Sequence, residues 1–215
     1  NFRKLLISFA EDVRVIMIMI VERLATMRAL DKYEPDAQQK IAREVSYLYA
    51  PLAHRMGLYA IKTELEDLSL KYTSYDIYKE IAYKLNETKR SRDAYITQFI
   101  EPVKKALEAQ GLTFSIKGRT KSIHSIWNKM RKQQVPFEKV YDLFAIRVII
   151  DCPEEQEKAA CWQAFSVVTN MYSYNINRLR DWISAPKPNG YESLHVTVMG
   201  PQGKWVEVQI RTKRM

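Results

Sequence analysis

The sequence has 215 residues, enough for one large or two small domains, and its 47% hydrophobic residues with only 6 Gly and 8 Pro exclude a disordered chain. The longest apolar stretch, residues 15–21, is seven residues long and predicts a buried helix; a membrane span needs roughly 20. Cys152 and Cys161 are too few for a disulfide scaffold or a cysteine-rich zinc site. We therefore predict a cytoplasmic protein with ordinary thiols and no membrane partner.

The positive charge is concentrated in the second half of the chain. The net charge is +9, and residues 106–215 hold 16 Lys and Arg against 10 Asp and Glu. Such a surplus indicates an anionic partner, whether nucleotide, RNA or acidic membrane, without choosing among them. The chain opens at Asn1 with neither an initiating Met nor a signal peptide, so we expect further sequence upstream.

Residues 2–109 carry a helical pattern, with apolar residues at three- and four-residue spacing and few strand signals. We predict four or five helices here. Pro35 is placed to start a helix, Gly57 marks a break, and Ser74 is a candidate N-cap. Gly111 ends the last helix of the region.

The second half mixes strands and helices, and the predicted boundary lies near residue 106. The predicted elements, in order, are a strand over 112–117, a helix over 122–132, a buried strand over 140–151, a helix over 154–171, and strands over 193–199 and 205–211. The last two strands alternate apolar and polar residues, so each has one face for a core and one for chemistry. The GPQGK segment between them predicts a hairpin with antiparallel strands. The predicted fold class is α+β: an all-helical N-terminal region, then a mixed sheet flanked by helices.

The segment GRTKSIHSIWNKM, residues 118–130, begins where a strand gives way to a helix. Lys121, Ser125 and Lys129 are four residues apart and form one polar stripe, with Arg119 in the preceding turn. Free N–H groups and the helix dipole favour anions at a helix N-terminus, and Lys and Arg neutralise phosphate oxygens further along. The alternative is a solvated basic helix face. The glycine spacing of a Walker P-loop is absent.

Two carboxylates stand on predicted strands. Asp142 opens the apolar strand YDLFAIRVII, and Glu207 lies on the polar face of WVEVQIRT. If the strands are neighbours, the pair could hold Mg²⁺, a hard cation often shared with substrate phosphates. The alternative is that Asp142 pairs with Arg147 or a helix lysine, because a buried carboxylate needs a partner.

Residues 178–195, RLRDWISAPKPNGYESLH, combine basic groups, a turn at residues 188–190 and aromatic rings. This composition fits a loop that binds phosphate and stacks on a base, although single-stranded RNA would use the same parts. A plain surface loop in which Tyr191 only packs is the alternative. His195 alone is more often a structural histidine than a catalyst.

Four motifs in this order, GRTKSIHSIWNKM, YDLFAIRVI, APKPNGYESLH and VEVQIRT, closely resemble the synthetase domain of the RelA/SpoT-homologue family. The resemblance implies a nucleotidyltransferase-like fold. It also implies transfer of the β,γ-pyrophosphate of ATP to the ribose 3′-hydroxyl of GDP or GTP in the bacterial stringent response, giving guanosine tetra- or pentaphosphate (ppGpp or pppGpp) and AMP. Residues 41–92 resemble the helical connector that precedes this domain.

Roles follow from the resemblance, residue by residue. It implies ATP-phosphate binding by Arg119, Lys121, Ser125 and Lys129, and GTP or GDP binding by Tyr191, which would stack on guanine, with Lys187, Asn189, His195, Arg178 and Arg180. Asp142 would bind Mg²⁺, and Glu207 would activate the 3′-hydroxyl and is the second candidate metal contact. The segment 178–181, RLRD, is similar to the basic variant of bifunctional members, with Arg where Lys is usual, which changes donor geometry.

The N-terminus departs from the family pattern. Residues 13–30 resemble the end of an HD-type hydrolase domain, but Glu22, Ala25 and Thr26 stand where Asp, His and Asn are usual. We predict no alarmone hydrolysis by this chain. The predicted domains are a degenerate hydrolase remnant over 1–35, a connector over 36–105 and a synthetase domain over 106–215, which relatives continue beyond Met215 into regions that sense the ribosome or tRNA.

Two other readings stay open at this point. One is a non-catalytic nucleotide- or RNA-binding regulatory module that uses the same basic surface. The other is an interaction platform in which the helical half switches the synthetase on or off. The sequence leaves the oligomeric state open.

Overall fold

The computed structural model describes residues 13–140 and 143–215, and it confirms the α+β class. The helices are α1 (Val13–Arg28), α2 (Pro35–Glu44), α3 (Ala50–Arg55), α4 (Tyr59–Thr73), α5 (Tyr75–Glu87), α6 (Lys89–Ala109), α7 (Ile123–Gln133) and α8 (Glu157–Met171). The strands are β1 (Phe114–Thr120), β2 (Phe144–Ile150), β3 (Arg180–Asp181), β4 (Leu194–Met199) and β5 (Trp205–Thr212). None of the helices within these described ranges is long and apolar enough to cross a membrane.

The chain forms two compact units. One comprises Asn1–Lys84 with Ser122–Asn128, and the other Leu85–Lys121 with Lys129–Met215. Helix α7 therefore contributes residues to both units. The three domains predicted over 1–35, 36–105 and 106–215 stay a prediction.

In the first unit, the predicted helix signals are found where the sequence placed them. Pro35 is the first residue of α2, which a π-helical turn over Val45–Tyr49 joins to α3. With that stretch counted once, five α-helical segments lie between residues 13 and 109, and the last of them, α6, belongs to the second unit. Gly57 adopts φ +72° after α3, and the Leu58 N–H donates to the Ala53 carbonyl at 2.9 Å, which closes the helix in a Schellman-type cap. Ser74 lies directly before α5, and its carbonyl accepts from the Tyr78 N–H at 3.1 Å.

Helix α1 is only partly buried, so the prediction of a buried helix over residues 15–21 is wrong for one of its faces. Ile16 and Ile20 are buried, whereas Ile18 is 65% and Val21 53% exposed. The sequence over residues 15–21 is apolar on all sides of this helix, and among the described residues of the first unit its neighbours cover the side that carries Ile16 and Ile20.

The second unit holds a five-stranded sheet in the order β1-β2-β5-β4-β3. Strands β2 and β5 are parallel and the other pairs are antiparallel, which confirms the predicted β4–β5 hairpin. The strand predicted over 140–151 begins later, because Phe137–Lys139 form a 3₁₀ turn and β2 starts at Phe144.

One face of the sheet packs against α6 and α8. Its core consists of buried aliphatic strand residues and one side of each helix: Ile146, Val148, Ile150, Val196, Val198, Val206, Val208 and Ile210 with Phe99, Val103, Leu107, Cys161, Ala164 and Val168. Gly111 ends α6 as predicted, at φ +71°, with its N–H donating to the Glu108 carbonyl at 2.9 Å. The opposite face of the sheet is left for polar side chains.

Candidate active site

Strand register aligns mostly charged and polar residues in two rows on the polar face of the sheet. One row, from β1 to β3, is Lys117, Arg147, Gln209, His195 and Arg180; a second row, two residues away along the strands, is Arg119, Ala145, Glu207 and Thr197. Because side chains alternate along a strand, both rows share one face, and the row between them lies in the core. Burial lowers the pKa of the Arg147 guanidinium, and the nearby Arg211 and Arg119 lower it further. The clustered Arg side chains give this face a positive charge that attracts anions.

A cavity of about 480 Å³ opens on this face. Of the residues that the structure describes, seven line it: Lys129 and Gln133 from α7, Arg178 and Arg180 at or just before β3, His195 and Thr197 from β4, and Glu207 from β5. The sequence predicted five of these as site residues. Among the described residues that line the cavity, Glu207 is the one carboxylate, and it faces a lining rich in cations.

Glu207 is held at the centre of a polar cluster. Its Oε2 lies 3.5 Å from Lys121 Nζ, its Oε1 lies 3.6 Å from His195 Nδ1, and Gln209 Nε2 donates to Oε1 at 2.6 Å. The carboxylate is 21% exposed, so it combines fixed orientation with access to the cavity. Such a group can accept a proton from a bound hydroxyl.

His195 connects the cavity to the segment that follows β3. Burial lowers the pKa of His195, an effect that the Glu207 charge opposes and that Lys187, Lys121 and Arg147 reinforce. The neutral ring meets the Tyr191 hydroxyl, with 2.8 Å between the oxygen and Nε2, and the two rings pack edge to face at 5.9 Å. Lys187 Nζ lies 4.9 Å from the centre of the Tyr191 ring.

A tight turn shapes that segment. The Gly190 N–H donates to the Lys187 carbonyl at 2.8 Å, and Gly190 has φ +74°, a conformation that glycine adopts without steric cost. The Asn189 side-chain oxygen accepts from the Tyr191 N–H at 3.3 Å. The turn thus sets the path of the backbone into Tyr191, and Asn189 acts on the backbone.

The sequence analysis expected free N–H groups at the N-terminus of α7. In the structure, the Asp67 carboxylate already accepts hydrogen bonds from this helix end. The His124 N–H donates to Asp67 Oδ1 at 2.8 Å, and the Ile123 N–H also bonds this carboxylate. Burial raises the pKa of Asp67, and these donated hydrogen bonds offset only part of that rise. Ser122 caps the helix, since its hydroxyl accepts from the Ser125 N–H at 3.2 Å and donates to the Ser125 hydroxyl at 2.9 Å.

Two family models match parts of the chain. The family model described as "Region found in RelA / SpoT proteins" matches residues 118–215, which hold the whole polar sheet face except Lys117, and an HD domain model matches residues 1–59. The chain belongs to the RelA/SpoT family. The four sequence motifs predicted this membership, and it is confirmed.

Relatives in the RelA/SpoT family match the chain from end to end. Proteins named GTP pyrophosphokinase from Photobacterium angustum and Escherichia coli are 37% and 36% identical over 215 residues, 100% of this chain and 28% of their own length. A relative from Aquifex aeolicus named guanosine-3′,5′-bis(diphosphate) 3′-pyrophosphohydrolase is 37% identical over 216 residues, again 100% of this chain and 30% of its own length. The chain thus spans less than a third of these relatives.

Solved structures similar to this RelA/SpoT chain include small alarmone synthetase 2 of Bacillus subtilis, at 28% identity and TM-score 0.46, covering 62% of this chain and 73% of that one. Small alarmone synthetase 1 of the same organism, bound to its product pppGpp, is 21% identical with TM-score 0.45, covering 63% of this chain and 74% of that one.

The remaining predicted residues take different places. Arg119 is exposed near the end of β1. Lys121 is the first residue after β1, and it pairs with Glu207. Ser125 lies in the first turn of α7, within the first unit. Asp142 lies outside the described residues. The predicted roles of all these residues stay predictions.

Sequence reasoning assigned no role to several side chains of the site, and Thr197, Gln133 and Arg147 are examples. Thr197 and Gln133 line the cavity, and Arg147 lies between Lys117 and Gln209 in the first row. Alternation along FAIRVII could have placed Arg147 opposite the buried Ile146 and Val148. Gln133 carries no such signal, because its position depends on where α7 packs.

A bound metal ion would need ligands from the side chains of the site. Within residues 13–140 and 143–215, no group of three or more His, Cys, Asp or Glu side chains is arranged to hold an ion. Mg²⁺ does not require such a cage, since it usually takes one or two carboxylates and completes its shell with water and substrate phosphate. The Glu207 carboxylate on the cavity wall is a donor of this kind.

Proposed function

We propose that this chain carries the synthetase centre of a GTP pyrophosphokinase, which transfers the β,γ-pyrophosphate of ATP to the 3′-hydroxyl of GTP or GDP. The products are pppGpp or ppGpp, and AMP. The names of its family relatives support this activity. Because the chain spans 28% of those relatives, the proposal concerns this centre and leaves their other activities aside.

The position of Glu207 is the observation that carries the proposal. It is a partly buried carboxylate on the wall of a cavity that Lys129, Arg178 and Arg180 also line. A surface that only binds RNA or nucleotide phosphate gains nothing from a fixed negative charge among its cations. A transferase needs one, because the attacking hydroxyl must lose its proton.

In the proposed reaction, Glu207 and the lysines have different roles. The 3′-oxygen attacks the β-phosphorus of ATP, the bond from that phosphorus to the α,β-bridging oxygen breaks, and AMP leaves with that oxygen. Glu207 takes the hydroxyl proton. Lys121, which pairs with Glu207, and Lys129, which lines the cavity, stabilise charge on the phosphoryl oxygens as the bonds exchange.

The segment with Lys187 and Tyr191 is suited to the acceptor nucleotide. The Tyr191 ring offers a face for guanine, and its hydroxyl contact with His195 holds the ring beside the cavity that Glu207 lines. Arg178 and Arg180 line the same cavity. In this proposal they hold the 5′-phosphates of the acceptor.

Glu207, together with Asp142, would hold Mg²⁺. When bound, the ion neutralises charge on the ATP phosphates and aligns them. The proton transfer assigned to Glu207 needs one carboxylate oxygen, which leaves the other for the metal.

The test is a nucleotide-product assay with ATP, GTP and Mg²⁺, in which AMP and a 3′-pyrophosphorylated guanosine nucleotide are expected in equal amounts. Glu207→Gln keeps the size of the side chain and removes the base, so the rate should fall by at least about 100-fold. Glu108→Gln makes the same chemical change on an exposed face of α6 and should leave the rate unchanged. Equal rates for Glu207→Gln and the parent protein would refute the assignment of the base.

A further inference from the structure

The segment 182–193 between β3 and β4, here named the acceptor loop, is tied to the protein near both ends. At its start, Asp181 Oδ1 accepts from the Ile183 and Ser184 N–H groups at 3.1 and 2.8 Å. At its end, the Ser193 hydroxyl donates to the Ile210 carbonyl of β5 at 3.0 Å. The stretch just before Ser193 carries Tyr191, so the position of this stretch determines where the aromatic ring lies.

One guanidinium just beyond β5 makes a further tie. Arg214 Nε donates to Glu157 Oε2 at 2.7 Å, and its NH2 group donates to Glu192 Oε2 at 2.9 Å. Glu157 is the first residue of α8, and Glu192 directly follows Tyr191. A single side chain therefore links the acceptor loop to the helix that covers the other face of the sheet.

The anchor of this link is rigid. Glu157 is 4% exposed, and its Oε1 accepts from the Thr212 hydroxyl of β5 at 2.5 Å. Burial would raise the pKa of Glu157, but the hydrogen bonds from Arg214 and Thr212 outweigh it and hold the pKa below the usual range. The Glu157 carboxylate thus stays charged, and it holds Arg214 in place independently of Glu192.

We propose that Arg214 is a positioning residue for the acceptor loop: through Glu192 it holds the backbone at Tyr191, and thereby sets the affinity for the guanosine nucleotide. The part of this inference that concerns the nucleotide rests on the proposed function. The part that concerns the loop rests on the contacts of Glu157, Glu192 and Arg214 alone.

The link acts at the residue that shapes the site. Tyr191 is held on its hydroxyl by His195 and on its carbonyl by the Lys187 N–H at 3.1 Å. Both partners are themselves predicted to contact the nucleotide, so they can shift with it. Glu192 ties the same stretch to an element that takes no part in binding, and this gives the loop a fixed reference.

Glu192→Ala is the clean perturbation, because it cuts the link and leaves the buried Glu157 paired with Arg214. The Glu192 side chain is 22% exposed, so its removal opens no cavity in the core and the melting midpoint should stay unchanged. Glu192→Gln keeps an oxygen that can accept from Arg214 and should restore part of the effect. Lys213→Ala is the matched control, since it removes the neighbouring ion pair with Asp151, which does not touch the loop.

The first measurement is amide hydrogen exchange of residues 182–193 without nucleotide. Loss of a partly exposed ion pair should speed exchange in this segment by roughly two- to fivefold in Glu192→Ala. The second is the steady-state dependence on each substrate: the KM for GTP should rise by a similar factor, while kcat and the KM for ATP stay unchanged. Lys213→Ala should change neither measurement.

The outcomes separate the two parts of the inference. Unchanged exchange of residues 182–193 in Glu192→Ala would overturn the positioning role of Arg214, whatever the enzyme does. Faster exchange with an unchanged KM for GTP would support the link and overturn the assignment of this loop to the acceptor. Absence of any pyrophosphoryl transfer by the parent protein would refute the proposed function and leave the exchange result standing.

Discussion

Gly200, between β4 and β5, meets the core so closely that a single added methyl group should destabilise the fold. A Cβ at this position would lie 2.8 Å from the Tyr95 hydroxyl and 3.0 Å from a ring carbon of Phe99. Neither ring can easily retreat. The Tyr95 hydroxyl donates to the Pro201 carbonyl at 3.0 Å, and Phe99 is fully buried and stacked on Tyr172 at 4.9 Å between ring centres.

The expected cost follows from this crowding. Carbon contacts are comfortable at about 3.5–4.0 Å, so the added atom must displace a packed aromatic ring by roughly half an ångström. Overpacking of this kind costs about 1–3 kcal/mol, which for a chain of this size lowers the melting temperature by roughly 2–12 °C. Gly200 has φ −81°, so backbone strain adds nothing to the effect. Urea and thermal denaturation of Gly200→Ala would measure it.

Gly118 provides the matched comparison. A Cβ there would lie even closer to a neighbour, 2.7 Å from Cγ2 and 2.9 Å from Cδ1 of Ile96, but both atoms belong to one flexible aliphatic side chain that is only partly buried. We expect Gly118→Ala to cost less than Gly200→Ala, because Ile96 is only partly buried and can shift without displacing a stacked ring. A loss of stability in Gly118→Ala that equals or exceeds the loss in Gly200→Ala would refute the reasoning that the rigidity of the neighbour decides the cost.

Two further predictions concern titration and capping. Burial lowers the folded-state pKa of His195 below its usual 6.5, so the fold is most stable above that pH, where the ring is neutral, and loses stability as the pH falls. NMR titration of the ring protons should show a midpoint below 6.5. A midpoint above 6.5 would contradict this prediction. Asp67→Ala should destabilise by about 0.5–2 kcal/mol, because the N-terminus of α7 loses its acceptor, whereas Asp67→Asn keeps an acceptor oxygen and should cost less in denaturation experiments. Equal costs for the two substitutions would show that the capping contact is unimportant.

The sequence could predict the elements of the site better than their assembly. The alternation in β4 and β5 placed His195 and Glu207 on one polar face, because a two-residue period needs no knowledge of neighbours. The turn at Gly190 and the cap at Gly111 were predictable for the same reason, since each depends on a few consecutive residues.

The contacts that could not be predicted join distant parts of the chain. Asp67 bonds the N-terminus of α7 across 57 positions, and Arg214 reaches back to Glu157 across the same separation. A carboxylate on a helix surface looks identical in sequence whether it is solvated or takes such a role. The exposed face of α1 was not predicted for a related reason. An apolar sequence shows that a helix can be buried, but it does not show which other segments pack against it.

The strand order has a consequence for how the sheet can be assembled. Strand β5 follows every other strand in the chain, yet it pairs with both β2 and β4. Until residues 205–212 insert, the halves β1-β2 and β4-β3 each present an unpaired edge, and unpaired edges invite pairing with other chains. The strand that supplies Glu207 is therefore also the one that makes the sheet continuous, so the Glu207 carboxylate reaches the cavity wall only when the whole sheet has formed.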